Sequence, residues 1–312
     1  MTVSLGPGPA NKARAQARSH KLSRAQIVQF HRDGYLRLPG FFARDEIAPL
    51  AEALEVDMTA EGHAFKVDDG PSSNHIYLGW VDPGDDLLGT FTTIDRVVSG
   101  AEALLGQDVY HYHSKIVVKP PHNDSIVGWH HDFAGWYDDG CVAPDMLTCL
   151  VAVTPGTKQS GCLRVLKGSH RIGRISLGRR FTDEELKSID PKDQAYGDMH
   201  PRRLQALYKR YEIESVELAP GDALYFHSMT MHSSLQNTTD RARIFIEMTY
   251  NAADNSPVLE GQEHHQSRPL NRLPDSTIKE HAYAGVFGRT HCLSLDEPAG
   301  AQIFLGNHPK AK

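Results

Sequence analysis

"GDALYFHSMTMHSSLQNTTDRARIFIEMTY", residues 221–250, spells a turn, a strand, a second turn and another strand. Gly221 and Asp222 open the first turn, "ALYFH" is aromatic and apolar, and "ARIFIEMTYN" (242–251) has the β-branched and aromatic character of a buried strand. Upstream, "VYHYHSKIVVK" (109–119), "MLTCLVAVT" (146–154), "GCLRVLKGSH" (161–170) and "SVELAPGDALYFH" (215–227) read the same way, each bounded by turn residues. Helical patterns come before them. Ser23 is a candidate N-cap ahead of Ile27, Phe30 and His31, and a short strand follows in "DGYLRLPGFF" (33–42). Asp45 is placed to cap a second helix carrying Ile47, Leu50, Ala51, Ala53 and Leu54, and "IDRVVSGAEALLG" (94–106) reads as a third that stops at Gly106. Residues 60–90 read as loop. Helices first and evenly spaced strands after them predict an α+β fold whose centre is a two-sheet barrel or jelly roll.

Residues 1–20 mix Gly, Pro, Ala and basic residues without apolar periodicity and read as a flexible tail, which leaves 21–312 as one domain. Residues 171–213 interrupt the strands with charged, partly helical sequence, an insertion of the size expected of a lid. With 312 residues, 40% of them hydrophobic, the chain can bury a substantial core. A net charge of −6 carries no basic footprint for nucleic acid, and no apolar run is long enough to span a bilayer. The chain lacks a secretory h-region, so a cytoplasmic location is expected. Four cysteines without a CxxC pair suggest neither disulfides nor a thiolate zinc site.

Three features carry chemistry. In "GWHHDFAGWY" (128–137), His130 and Asp132 are spaced to share one face of a strand while His131 turns away. "PPHND" (120–124) holds a second His-x-Asp, His122 to Asp124, but in a turn with nothing to aim it. The opening stretch supplies His227 and His232, which fall on opposite strand faces, and a third ligand from a distant strand would complete a two-histidine, one-carboxylate face. Eleven residues beyond His232, Arg243 offers planar recognition of a carboxylate, with Arg241 as its rival on the same face. Lys115 and Lys119 share parity on the strand before the site, positioned either to meet a carboxylate or to line a solvated face. Lys167, Arg171, Arg174, Arg179 and Arg180 form the one dense basic run, either solvated or facing an anionic substrate group.

From Leu22 to about Asn255 the chain resembles the phytanoyl-CoA dioxygenase family of iron(II)/2-oxoglutarate oxygenases, and its ectoine-hydroxylase-like members in particular. The resemblance rests on the "FxxDGYLxLPGFF" opening from Phe30, "WHHDFAGW", "GCLRVLKGSH", and "MHSSLQN" followed by an arginine. It implies a double-stranded β-helix (jelly roll, cupin-like) core with N-terminal helices packed on it. It implies that His130, Asp132 and His232 hold Fe(2+) and that Arg243 anchors 2-oxoglutarate. It also implies that Trp136 and Thr148, or Cys149 in its place, line the cosubstrate pocket; Lys115 is added to that pocket from its parity. The resemblance further implies O2-dependent hydroxylation of an aliphatic C–H in a small-molecule metabolite, with 2-oxoglutarate decarboxylated to succinate and CO2. Related halogenases replace the acidic ligand, whereas Asp132 is kept here. Two other readings use the same residues: a relative that binds metal or metabolite without oxidation, and a zinc-dependent hydrolase.

Overall fold

The computed structural model describes residues 21–56, 65–67, 75–174, 201–284 and 290–294; the expected tail at 1–20, and Arg179 and Arg180, lie outside them. Helix α1 (Arg24–Asp33) starts where the sequence places it. The Ser23 hydroxyl accepts from the Gln26 backbone N–H and the Gln26 side chain accepts from the Ser23 N–H, a closed capping box worth about 1 kcal/mol. Gly34 ends the helix at φ 82° and releases the chain into β1 (Tyr35–Leu38). Helix α2 (Arg44–Val56) corrects the reading of Asp45. That residue lies inside the first turn and pairs with Lys279 at 2.6 Å, while Glu46 accepts the Ala43 N–H.

Residues 60–90, read as loop, contain β2 (Phe65–Val67), β3 (His75–Trp80) and the start of α3 (Leu87–Thr93). After α4 (Asp95–Leu105) comes the long strand β4 (Val109–Lys119), then β5 (Val127–His130), the short helix α5 (Phe133–Asp138), β6 (Met146–Ala152) and β7 (Leu163–Leu166). Of the insertion, the structure describes residues 171–174, helix α6 (Pro201–Arg210) and the start of β8 (Ile213–Val216). Strands β9 (Ala223–His227), β10 (His232–Ser234) and β11 (Arg243–Ala252) and helix α7 (Thr277–Ala284) follow.

The strands form two antiparallel sheets. The larger runs β1-β9-β6-β11-β4-β3-β2 and the smaller β5-β10-β7-β8. "SVELAPGDALYFH", expected as one strand, is two. Pro220 and Gly221 (φ 87°) break it, and its halves, β8 and β9, belong to different sheets. Parity sorts the larger sheet into two faces. Leu147, Cys149, Val151, Ile244 and Ile246 pack outward against Phe30, Leu50, Val97 and Val98 of the helices. Leu150, Ala152, Phe226 and Phe245 point inward against Leu163, Val165 and Val216 of the smaller sheet. Both faces are covered, which is why these strands read as apolar runs without alternation. Arg96 clamps the helical layer, bonding Glu46 at 2.7 Å and Asp275 at 3.1 Å.

The β4–β11 pairing carries one irregularity. Thr249 faces His113 but Tyr250 faces His111, so Tyr112 is an extra residue in β4. Such a bulge re-aims side chains. Here it lets Tyr112 and His113 both turn toward α5.

Candidate metal centre

His130 ends β5 and His232 begins β10, directly opposite each other in the antiparallel pair. Their ring centroids are 4.2 Å apart. Each ring is oriented by its own backbone: His130 Nδ1 bonds Gly128 O at 2.8 Å and His232 Nδ1 bonds Thr230 O at 2.9 Å. A carbonyl can only accept, so both Nδ1 atoms carry hydrogen and both Nε2 atoms present lone pairs. Those lone pairs meet one carboxylate oxygen, Asp132 Oδ1, at 3.6 Å from His130 and 3.7 Å from His232. Among the described residues no other group of His, Cys, Asp or Glu side chains converges in this way, and these three ligand atoms lie within 4.8 Å of one another. The two imidazole donors and one carboxylate fit a divalent first-row metal and leave one side open.

The convergence of His130 and Asp132 has a different cause from the one expected. Asp132 is not on a strand; it is the helical residue (φ −65°, ψ −35°) that caps α5, and a strand-to-helix corner swings its carboxylate back toward His130. Burial pushes the His130 imidazole down to about 3, helped by His232. Burial alone would raise Asp132, yet His232, His130 and Lys115 together hold it below the usual carboxylate range. His130 is thus a neutral imidazole beside an ionised Asp132, the protonation states a metal requires of such ligands.

The neighbouring histidines separate from the ligands. His131 is buried facing away, with its Nδ1 accepting the Ala134 N–H at 3.1 Å. His227 ends β9 in the other sheet and accepts the Met229 N–H, so it is the sheet to which it belongs, more than spacing, that removes it. His122 sits in a turn at φ 50°, bonded to the exposed Asp240.

Arg243 begins β11 facing inward and is only 3% exposed. Its Nη1 donates to Gly161 O at 3.0 Å, its guanidinium stacks 4.3 Å from the Phe245 ring centroid, and its Nε has no hydrogen-bond partner among the described residues. Arg241, the rival, is exposed. Directly across from Arg243 in β4 stands Lys119, at 0% exposure, with Nζ donating to Ser234 Oγ at 2.9 Å and to Leu235 O. Burial and the Arg243 charge push the Lys119 ammonium well below its ordinary range. Lys119 and Arg243 stand side by side with no ion pair to a carboxylate among the described residues, an arrangement that an anion would complete by holding both as cations. Ser234 lies two residues from His232 on the same strand face, so Lys119 meets β10 about 7 Å along the strand from His232.

This register corrects the placement of Lys115. It faces Glu247 in β11 and pairs with it at 3.3 Å, while Lys119 takes the position beside Arg243. Thr148 does face inward, with Oγ1 3.1 Å from Thr249 Oγ1 and the chain beside Phe226, whose ring is 5.0 Å from that of His232. Cys149 points into the helical layer, which removes it as the alternative. Trp136, one turn along α5 from Asp132, is not beside Arg243. It packs at the bulge, with ring centroids 5.8 Å from both Tyr112 and His113.

The bulge end of the barrel holds residues that sequence reasoning missed. His113 and His265 are buried, their rings 5.7 Å apart, and His265 stacks on Tyr112 at 3.9 Å. His113 Nδ1 and His265 Nε2 have no hydrogen-bond partner among the described residues. His113 shares parity with Lys115 and could have been found from that; His265 lies in a segment with no pattern to place it. From the basic run, Arg171 donates to His31 O and Arg32 O, and Arg174 covers the Tyr137 ring at 4.0 Å beside Asp138. In α6, Leu204 packs on Trp129, the residue before His130.

An ectoine dioxygenase of Bordetella bronchiseptica is 30% identical over 240 residues, spanning 75% of this chain and 77% of that protein. An L-proline trans-4-hydroxylase of Streptomyces griseoviridis is 28% identical over 236 residues, spanning 74% and 87%. Among solved structures, EctD from S. alaskensis with bound Fe matches at a TM-score of 0.62 and 26% identity over 83% of this chain and 90% of that one. The same enzyme with 2-oxoglutarate and 5-hydroxyectoine matches at 0.61 and 25%, over 84% and 88%. No helix among the described residues is long and apolar enough to cross a membrane. Residues 30–245, which include His130, Asp132, His232 and Arg243, match the sequence profile of phytanoyl-CoA dioxygenase (PhyH), and the chain belongs to that family.

Proposed function

We propose that the protein is an iron(II)- and 2-oxoglutarate-dependent dioxygenase in which His130, Asp132 and His232 hold the iron, and Lys119 and Arg243 hold the far carboxylate of 2-oxoglutarate. One observation carries this reading: two backbone-oriented imidazole lone pairs and a carboxylate converge about 7 Å, along a single strand, from a buried pair of cations. That separation suits a short dicarboxylate with one end at the metal and the other in the seat. A hydrolytic zinc site has no use for the seat.

His130, Asp132 and His232 would hold the iron, which would supply the redox chemistry that couples O2 activation to decarboxylation of 2-oxoglutarate to succinate and CO2. The chain supplies position, charge and dryness. Gly128 O and Thr230 O fix the two imidazole tautomers, and Asp132 stays ionised at any working pH because its surroundings hold its pKa down. Arg243 and Lys119 orient the cosubstrate by charge-assisted hydrogen bonds. Phe226 at the edge of His232, with Leu150 beside it on the barrel's inner face, excludes water.

The substrate is a small metabolite bound at the bulge end, where Trp136, Tyr112, His113 and His265 form aromatic walls and the two histidines each keep a ring nitrogen unpaired among the described residues. Lys115, two residues along β4 from His113, pairs with Glu247, and its charge acts on Asp132. A substrate carrying both an anionic and a cationic group can exchange its charges with that pair. The relatives named for ectoine and L-proline act on small molecules, which supports the reading. We read residues 21–312 as one catalytic unit and the insertion at 171–213 as the element that sets substrate choice, with α6 seated against Trp129.

Anaerobic titration tests the assignment. Ferrous protein is expected to bind 2-oxoglutarate one to one, with the visible charge-transfer absorption of a chelated 2-oxo acid. Hydrolase activity with zinc that is indifferent to Arg243→Ala, together with no such absorption, would overturn it.

A further inference from the structure

The carboxylate seat extends one strand beyond Lys119. In the β3–β4 pair Ile76 faces Val118, so the next residue back, His75, stands beside Lys119 just as Arg243 does on the other side. Three nitrogen-bearing side chains thus lie abreast on neighbouring strands about 4.8 Å apart. His75 is completely buried. Its Nδ1 is bonded to Ser125 Oγ at 2.8 Å, and Ser125 is itself fixed, its N–H donating to Asn123 Oδ1 at 2.8 Å. The opposite ring nitrogen, Nε2, has no hydrogen-bond partner among the described residues. Buried ring nitrogens are seldom left unbonded without a reason in function.

The charges that act on His75 are those of Lys119 and Arg243; burial first, and then these cations, push its imidazole down to about 2. It is therefore neutral, and its hydrogen is free to sit on either nitrogen. A serine hydroxyl can accept from Nδ1 or donate to it. With the Ser125 hydroxyl donating, the hydrogen resides on Nε2 and is available to an anion between His75 and the two cations.

We propose that His75 is a third binding residue of the 2-oxoglutarate seat, donating Nε2–H to the far carboxylate while Ser125 holds its Nδ1. The inference rests on the reading of Lys119 and Arg243 as that seat. It adds a neutral donor that neither charge nor motif marks, on a strand that the sequence presents as loop.

The test is calorimetric binding to the full-length ferrous protein without oxygen, comparing 2-oxoglutarate with 2-oxopentanoate, which has a methyl group in place of the far carboxylate. His75→Phe keeps the ring and removes the donor. It is expected to weaken 2-oxoglutarate binding about tenfold or more, the loss of one hydrogen bond to a charged group, and to leave 2-oxopentanoate binding unchanged. His75→Gln, whose amide nitrogen reaches the Nε2 position, is expected to restore most of the affinity. His75→Asn, which can only replace the bond to Ser125, is expected not to. Should the Phe variant fold poorly, the Gln and Asn pair decides alone. Equal weakening of both 2-oxo acids would make His75 a structural residue and overturn the proposal. Unchanged 2-oxoglutarate binding in His75→Phe, with binding lost in Arg243→Met, would overturn it and leave the seat standing. Failure of the wild type to bind 2-oxoglutarate would overturn both.

Discussion

Lys119→Met is expected to separate affinity from stability. Lys119 is fully buried, and the charges nearest it, Arg243 and Arg164, are of its own sign. Its folded-state pKa is therefore below the value of about 10.4 that it has in the unfolded chain. Between the two values the unfolded chain binds a proton that the folded protein lacks, so stability rises with pH through that window. Below the folded value the full cost of burying the charge remains. A carboxylate in the seat reverses the balance by favouring the ammonium. Binding of 2-oxoglutarate then takes up as much as one proton, and affinity falls by up to about tenfold per pH unit within the window. Arg243, pushed down to about 10 by burial, keeps its charge at neutral pH and contributes little to that uptake. Methionine fills the space of the lysine stem without its charge. The variant should lose one charge-assisted hydrogen bond, about 1.5–3 kcal/mol, or roughly 10- to 150-fold in Kd at neutral pH. Freed of the cost of desolvating an amine, the ligand-free protein should unfold no more than about 1 kcal/mol more easily, as its Tm will show. Calorimetry in buffers of different ionisation enthalpy, from about pH 7 to about pH 9, reads affinity and proton uptake together. Wild type without proton uptake, or a variant with unchanged affinity, would refute the reasoning.

Two further outcomes follow from packing. Gly161 is at φ 76° with the carbonyl of Leu235 2.3 Å from where a Cβ would stand; its own carbonyl holds Arg243, and Leu235 O holds Lys119. Gly161→Ala should therefore cost more than about 2 kcal/mol and weaken 2-oxoglutarate binding as well. Gly106→Ala, at φ 73° with nothing near its Cβ, should cost about 1 kcal/mol in a denaturant titration and leave binding unchanged. All four cysteines are buried, and burial pushes the thiols of Cys141, Cys149 and Cys292 up to about 12 and that of Cys162 to about 11. The native protein should react with a thiol reagent near pH 8 only after denaturant is added; fast modification of any one cysteine would contradict its placement.

The convergence of His130, Asp132 and His232 is legible in the sequence because each belongs to a short motif, and Arg243 stands out because it follows His232 at the spacing the family resemblance implies. The long strands β4, β6 and β11 were legible because both their faces are buried. What depends on register was not. Lys115 and Lys119 have the same parity, and only the pairing of Lys119 with Arg243 and of Lys115 with Glu247 tells a seat from an ion pair. The inward turn of both Tyr112 and His113 needs a bulge that no residue type announces. Strand β3 was missed amid Gly, Asp and Pro, and His75 with it. Asp132 was found for an incomplete reason, since a helix cap and not strand alternation turns it toward His130.

The most direct test of the account is succinate formation from 2-oxoglutarate by the purified protein with ferrous iron and O2, measured beside His130→Ala, Asp132→Ala and His232→Ala. The account predicts turnover in the wild type, stimulated by the substrate, and its loss in each variant with the fold retained. Full turnover in any one of the three would contradict it.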